Sequence, residues 1–328
     1  MGCVNMRETS LLKIDNLSIS FPYGKSHLQV VRGVDLEVTQ GEIVGILGES
    51  GSGKTVTATS IIGLTREDSG RIDSGQILFK GKNILSMTEK EMRKVRGKEI
   101  AYIFQDPVGS LNPYRKAGKQ IEEALKVHDL PCSKRRVLDL MQDVGLDKAE
   151  TIYDMFPSQL SGGQCQRILI AAAIACKPDL LIADEPVSAI DASLQKKVLE
   201  LLKAINKEYG SAVIIITHDF AVVEYICDRV VVMYGGLVME TGTVEEVLNT
   251  PYHPYTQELL KCVNSLSNND ERLYTLEGRA PGSSEYTGGC PFWTRCKKST
   301  GACQSEVPQL LKRACGRQVR CFYGGEQA

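Results

Sequence analysis

Gly48-Glu49-Ser50-Gly51-Ser52-Gly53-Lys54-Thr55 is the stretch that decides the fold. It follows an apolar run, Ile43 to Leu47, and precedes a segment of helical character, Val56 to Leu64. Gly, four residues, then Gly-Lys-Thr is the Walker A spacing, here in the strand–loop–helix setting it needs. Glycines let successive backbone N–H groups converge on phosphate oxygens, and the helix start adds a favourable dipole end. Lys54 can place an ammonium by the β- and γ-phosphates, and Thr55 offers a hydroxyl to magnesium. A Rossmann site is disfavoured, because Lys54 and Thr55 follow Gly53 where a close helix–sheet contact would be expected.

The 328 residues suffice for two domains or for one domain carrying insertions, and 42 % apolar residues can build a substantial core. A formal net charge of −1 gives no argument for nucleic-acid binding by the whole molecule. Ile168 to Cys176 is among the longest apolar runs and is too short to span a bilayer. The N-terminus has no basic-then-apolar signal pattern, and Met6 stands where myristoylation wants Ser or Thr. Any membrane association is therefore expected to come through partners. Of 11 cysteines, Cys290, Cys296, Cys303, Cys315 and Cys321 crowd into the tail. An odd total beside a nucleotide site argues against a secreted disulfide scaffold.

Around the P-loop the pattern alternates helix and buried strand. Leu12, Ile14, Leu17, Ile19 and Phe21 predict one or two strands, followed after a Gly24-Lys25-Ser26 turn by Val30 to Val38. Ile77 to Phe79, Ile100 to Phe104, Leu180 to Ala183 and Val213 to Ile216 are further strands. Residues 108–158 differ: Ile121, Ala124, Leu125, Val137, Leu138 and Met141 recur at helical spacing, which predicts a helical insertion. Val230 to Met233 and Leu237 to Met239, joined by Gly235-Gly236, predict a terminal hairpin. From about Asn249 the composition shifts, and the tail reads as a separate small module.

Leu180 to Ala183 ends in Asp184-Glu185, which is what metal-assisted phosphoryl transfer needs near a P-loop. Asp184 can hold magnesium and Glu185 can orient or deprotonate the attacking water. His218 and Gln105 also end strands, so they can reach the γ-phosphate, the metal or the water. Leu160-Ser161-Gly162-Gly163-Gln164 is a second glycine-rich anion loop before a helix. One P-loop has no use for a second such loop in the same site. The sensible solution is a sandwich in which this loop covers a nucleotide held by another subunit.

These residues closely resemble the ATP-binding subunits of ABC transporters, in the order of that family's motifs. The resemblance implies an α/β P-loop NTPase core over 11–245, a helical subdomain inserted at about 108–170, and a small C-terminal cysteine-rich module over 246–328. It implies Gly48, Ser50, Gly51, Ser52, Gly53, Lys54 and Thr55 as the phosphate loop, with Thr55, Gln105 and Asp184 on Mg2+. Glu185 becomes the catalytic carboxylate and His218 the switch histidine. Ser161, Gly162, Gly163 and Gln164 form the signature, and Asp191 belongs to the D-loop. The adenine is expected to stack on Phe21 or Tyr23. Val187 and Ile190 depart from the usual residues around the D-loop, but no catalytic group is missing.

Within the family the chain resembles the oligopeptide, dipeptide and nickel importers. That likeness rests on Gln105-Asp106-Pro107 with Ser110 to Pro113, on His253-Pro254-Tyr255-Thr256, and on Gly289-Cys290-Pro291-Phe292 with Arg295-Cys296. It implies two integral permeases, an extracytoplasmic solute-binding protein and a second, non-identical ATPase subunit at the cytoplasmic face of a membrane. Cys290, Cys296, Cys303 and Cys321 are separated by 5, 6 and 17 residues, neither a zinc-finger nor a ferredoxin pattern. Some members resemble this arrangement and carry a [4Fe–4S] cluster there; zinc and plain reduced thiols stay open. The alternatives are a nickel or other small-solute importer ATPase, and a soluble nucleic-acid-associated ATPase that uses the basic tail. A non-enzymatic sensing scaffold conflicts with the complete set of hydrolytic side chains.

Overall fold

A computed structural model describes residues 10–66, 68–188, 192–267, 274–286, 288–313 and 316–323. In chain order the strands are β1 (Ser10–Tyr23), β2 (Ser26–Thr39), β3 (Ile43–Leu47), β4 (Arg71–Phe79), β5 (Lys82–Asn83) and β6 (Ile100–Ile103). They continue with β7 (Leu180–Asp184), β8 (Ala212–Thr217), β9 (Arg229–Tyr234), β10 (Leu237–Thr243), β11 (Leu311–Lys312) and β12 (Gln318–Val319). The chain divides into two compact units, one of residues 1–39, 44–85 and 217–328, the other of residues 40–43 and 86–216.

The first unit holds an antiparallel sheet ordered β2-β1-β4-β5. Leu12, Ile14, Leu17 and Ile19 of β1 are buried, so their near-alternation reports a real inward face. A second set of strands runs β11-β12-β10-β9-β3, with β3 parallel to β9 and the remaining pairs antiparallel. Gly235 and Gly236, at φ of 55° and 78°, make the tight turn between β9 and β10. This hairpin is not terminal: β12 from the tail pairs with β10 at Glu240 and Thr241.

The tail shares this unit's core and is no free-standing module. Phe292, Cys290, Cys303 and Tyr255 cluster with Leu47, Val232, Tyr234 and Met239, residues of the strands beside the P-loop. Tyr255 and Phe292 are fully buried, each contributing about 1.5–3 kcal/mol by apolar transfer. Glu240 and Arg317 form a buried ion pair, and Glu240 also accepts from the Tyr252 and His253 amides.

The second unit contains three parallel strands ordered β6-β7-β8. All of β7 and β8 are buried, the signature of strands covered on both faces. Between β6 and β7 lie helices Pro107–Ser110, Ala117–Lys126, Lys134–Asp143, Ala149–Tyr153 and Gly162–Ile174. Ile121, Leu125, Val137, Leu140 and Met141 are their buried stripe.

Candidate functional site

The P-loop leaves β3 at Gly48, whose φ is 157°. A Cβ there would lie 2.2 Å from the Met233 carbonyl oxygen, so only glycine lets the loop pass β9. Gly53, at φ 93°, is the N-cap of helix Lys54–Ile61 and accepts from the Thr57 hydroxyl at 2.8 Å. The Lys54 side chain is buried and its Nζ donates to the Gly48 carbonyl at 2.7 Å and the Glu49 carbonyl at 3.0 Å. The ammonium is thus held inside the loop whose N–H groups line the phosphate cradle, while Ser50, Gly51 and Thr55 are exposed. These donors suit a polyphosphate, and the exposed Thr55 hydroxyl suits its metal.

At the other half of the expected chemistry, Asp184 closes β7 and is buried. Its Oδ2 accepts from the Tyr102 hydroxyl at 2.9 Å. Burial and the neighbouring Asp184 carboxylate push the Tyr102 phenol well above its ordinary range, so it stays a donor. Sequence reasoning missed Tyr102; it lies inside β6, and no local motif marks it. Glu185 follows in a left-handed conformation at φ 46°, unusual for a carboxylate residue and of the kind concentrated at functional sites. Its amide donates to the Ile216 carbonyl at 2.9 Å, which fixes the turn. Gln105 Nε2 donates to Glu185 Oε2 at 2.9 Å, so the structure joins these two expected residues. His218 follows β8 directly and is exposed, with Asp219 capping the next helix through the Ala221 amide.

The glycine-rich Ser161 to Gln164 loop is a capping box. The Gln164 amide donates to Ser161 Oγ at 3.3 Å and the Ser161 amide to Gln164 Oε1 at 2.9 Å. Ser161 and Gly162 stay exposed, and the serine proton is still free to be donated. At the hairpin end Phe21 is half-buried beside Gly70, whereas Tyr23 is 58 % exposed. Asp191 lies outside the described residues, as does Cys315.

The tail reaches the P-loop directly. Arg295 Nη1 and Nη2 donate to the Glu49 carboxylate at 2.7 and 3.2 Å, and the Glu49 amide donates to Tyr255 Oη at 3.0 Å. Both tail residues stood in the sequence only as marks of resemblance, with no role assigned.

Cys290, Cys296, Cys303 and Cys321 line one cavity of about 10 Å3, together with Phe292 and Trp293. The expected metal site gains no support from the geometry: among the described residues no group of three or more His, Cys, Asp or Glu is placed to hold a metal ion. Burial, with Cys303, Cys321 and Cys296 as neighbours, pushes the Cys290 thiol up to about 12.

A P-loop on a strand–helix junction and a strand-end carboxylate pair with its strand-end glutamine define a P-loop nucleoside triphosphatase. Residues 31–188 match the ABC transporter family model, and residues 239–303 match the oligopeptide/dipeptide transporter C-terminal region. The oligopeptide transport ATP-binding protein AppD of Bacillus subtilis is 41 % identical, over 97 % of this chain and 98 % of that protein. The dipeptide transport ATP-binding protein DppD of Escherichia coli is 42 % identical, over 96 % and 97 %. A solved dimeric cassette, MJ0796 in a post-hydrolysis state bound to ADP and Pi, is similar with a TM-score of 0.64. It is 28 % identical and covers 71 % of this chain and 98 % of that one. The chain belongs to the ABC transporter ATP-binding proteins, in the branch that carries the oligopeptide/dipeptide C-terminal region.

Proposed function

We propose that this chain is the ATP-hydrolysing subunit of an importer of oligopeptides or dipeptides. One observation carries the reading: an ABC cassette and the oligopeptide/dipeptide C-terminal region occur in a single chain. Lys54 and the N–H groups of Ser50 to Thr55 hold the phosphates. Thr55, Asp184 and Gln105 would hold Mg2+, which when bound would draw charge from the phosphate oxygens. Tyr102 orients the Asp184 carboxylate through its hydroxyl. Glu185 would polarise the attacking water, and the bond from Gln105 holds one oxygen of its carboxylate in place. His218 contacts the γ-phosphate side of the same water, and Phe21 or Tyr23 stacks on adenine.

The exposed Ser161 and Gly162 favour a head-to-tail pair in which the signature of one subunit covers the P-loop of another, with Asp191 coupling the two sites. The partners are a second, non-identical ATPase subunit, two permeases and a solute-binding protein, with this chain at the cytoplasmic face of the membrane. No helix among the described residues is long and apolar enough to cross a membrane. The four tail cysteines are proposed to bind a [4Fe–4S] cluster, with zinc as the alternative. Support comes from their convergence on one cavity, and iron, sulfide and zinc analysis of anaerobically purified protein decides between the two.

The test is ATP turnover by the complex purified with its permeases. Peptide-loaded binding protein stimulates it under this reading, whereas stimulation by nickel, or by nucleic acid without permeases, overturns it. Glu185→Gln lowers hydrolysis at least about 100-fold and leaves ATP binding intact. Unchanged turnover removes Glu185 from its role.

A further inference from the structure

Glu49 is the one acidic residue of the P-loop stretch Gly48 to Thr55, a segment whose task is to hold phosphates. A carboxylate there carries the wrong sign for its ligand. Its two oxygens accept from both Nη atoms of Arg295, at 2.7 and 3.2 Å. The guanidinium is held in place from three further directions. Nη1 also donates to Tyr234 Oη at 3.1 Å, Nε donates to the Glu277 carbonyl at 3.1 Å, and the cation faces the Tyr234 ring. The Arg295 side chain is 5 % exposed and that of Glu49 28 %, so the guanidinium is fixed in place while the carboxylate is partly screened by water.

The rest of Glu49 is equally engaged. Its amide donates to Tyr255 Oη, and its carbonyl accepts from the Ser52 amide at 3.2 Å and from Lys54 Nζ at 3.0 Å. Tyr255 packs at a tilt against Tyr234 and Phe292 at centroid distances of 4.6 and 5.2 Å, a buried aromatic group that resists displacement. The tail therefore grips the same residue whose carbonyl receives the P-loop lysine.

We infer that Arg295, with Tyr255, is a positioning residue for nucleotide binding: it neutralises the Glu49 carboxylate and fixes the backbone of the phosphate loop from the C-terminal region. The inference rests on the P-loop being the nucleotide site. Without Arg295, Glu49 would present an uncompensated negative charge to the ligand's phosphates and would no longer anchor the loop.

The test is MgADP affinity of the purified full chain by calorimetry, which needs no turnover. Arg295→Ala weakens binding about tenfold, the size expected of one partly screened charge near a polyphosphate. The double variant Glu49→Gln/Arg295→Ala recovers most of that loss, because the repelling carboxylate is gone. A folded Arg295→Ala protein that binds as the wild type does, or a double variant as weak as Arg295→Ala, overturns the inference. The second result would make Arg295 a brace of the fold alone. Should Arg295→Ala not fold, Glu49→Gln decides. With Arg295 in place it tightens binding about threefold, and an unchanged or weaker affinity overturns the proposal. Failure of the underlying reading looks different: the wild type itself would bind no MgADP, or Lys54→Ala would bind as well as the wild type.

Discussion

Tyr102 and Asp184 are 82 residues apart, yet one hydrogen bond of 2.9 Å between them sets the orientation of the carboxylate assigned to magnesium. Tyr102→Phe keeps the ring and its packing and removes only the donor. A buried carboxylate then loses a partner, at a cost of about 1–3 kcal/mol. The expected result is an approximately tenfold rise in the Mg2+ concentration that half-saturates ATPase activity, the equivalent of about 1.4 kcal/mol. An unchanged magnesium titration would sink the assignment. Residues of this kind mark the limit of the sequence. Gly48 to Thr55 and Asp184-Glu185 are legible because their function needs fixed local spacing. The Tyr102–Asp184 bond and the Arg295–Glu49 pair join distant segments, and nothing around Tyr102 or Arg295 announces the partner. Gln105 is intermediate: its place at a strand end was readable, its bond to Glu185 was not.

At the scale of elements, apolar periodicity located the helices between β6 and β7, because 3.6-residue spacing reports the face that packs. It said nothing of Glu122, which the same helix buries beside Ile121 and Leu125. Burial pushes the Glu122 carboxyl up from its ordinary 4.5, but the Tyr153 hydroxyl and the Lys119 and Lys126 ammonium groups outweigh it and hold it down to about 2. Both lysines lie 3.0 Å from the carboxylate oxygens. A carboxyl whose folded value is depressed adds stability above its unfolded value and loses it as pH falls toward the folded one. Acid should therefore destabilise the helical segment progressively between about pH 4.5 and 2, by at most about 3 kcal/mol, since the half-exposed lysines are partly screened. Glu122→Gln should lower stability at neutral pH and flatten this acid limb in urea titrations followed by circular dichroism. An unaltered limb would assign the acid sensitivity elsewhere. The signature loop gives the same lesson: Ser161-x-x-Gln164 was readable as an anion loop, and its second identity as a capping box belongs to the helix it starts.

For the whole molecule, the compositional break near Asn249 marks where the cassette's motifs end, but it is not where the fold can be cut. Sequence bias reports a change of residue usage; burial is decided by which surfaces meet. Tyr255, Phe292, Cys290 and Cys303 cover Leu47, Val232, Tyr234, Leu237 and Met239, and β12 covers the edge of β10. Cutting after residue 245 would expose that apolar patch and leave Glu240 buried in the full chain without Arg317. It would also free Glu49 from Arg295 and Tyr255. Losing buried Tyr255 and Phe292 alone removes about 3–6 kcal/mol of apolar transfer, comparable to the entire margin of an ordinary domain. The expected outcome is that residues 1–245 express as aggregate, or as a species that binds hydrophobic dye and no longer binds MgADP. The full chain should instead unfold the P-loop strands and the tail in one transition. Hydrogen exchange followed by mass spectrometry checks this directly, because β3, β9, β10 and β12 should lose protection together as denaturant is raised. Early loss of protection in β12 and around Phe292, with the P-loop still protected, would show a tail that folds on its own.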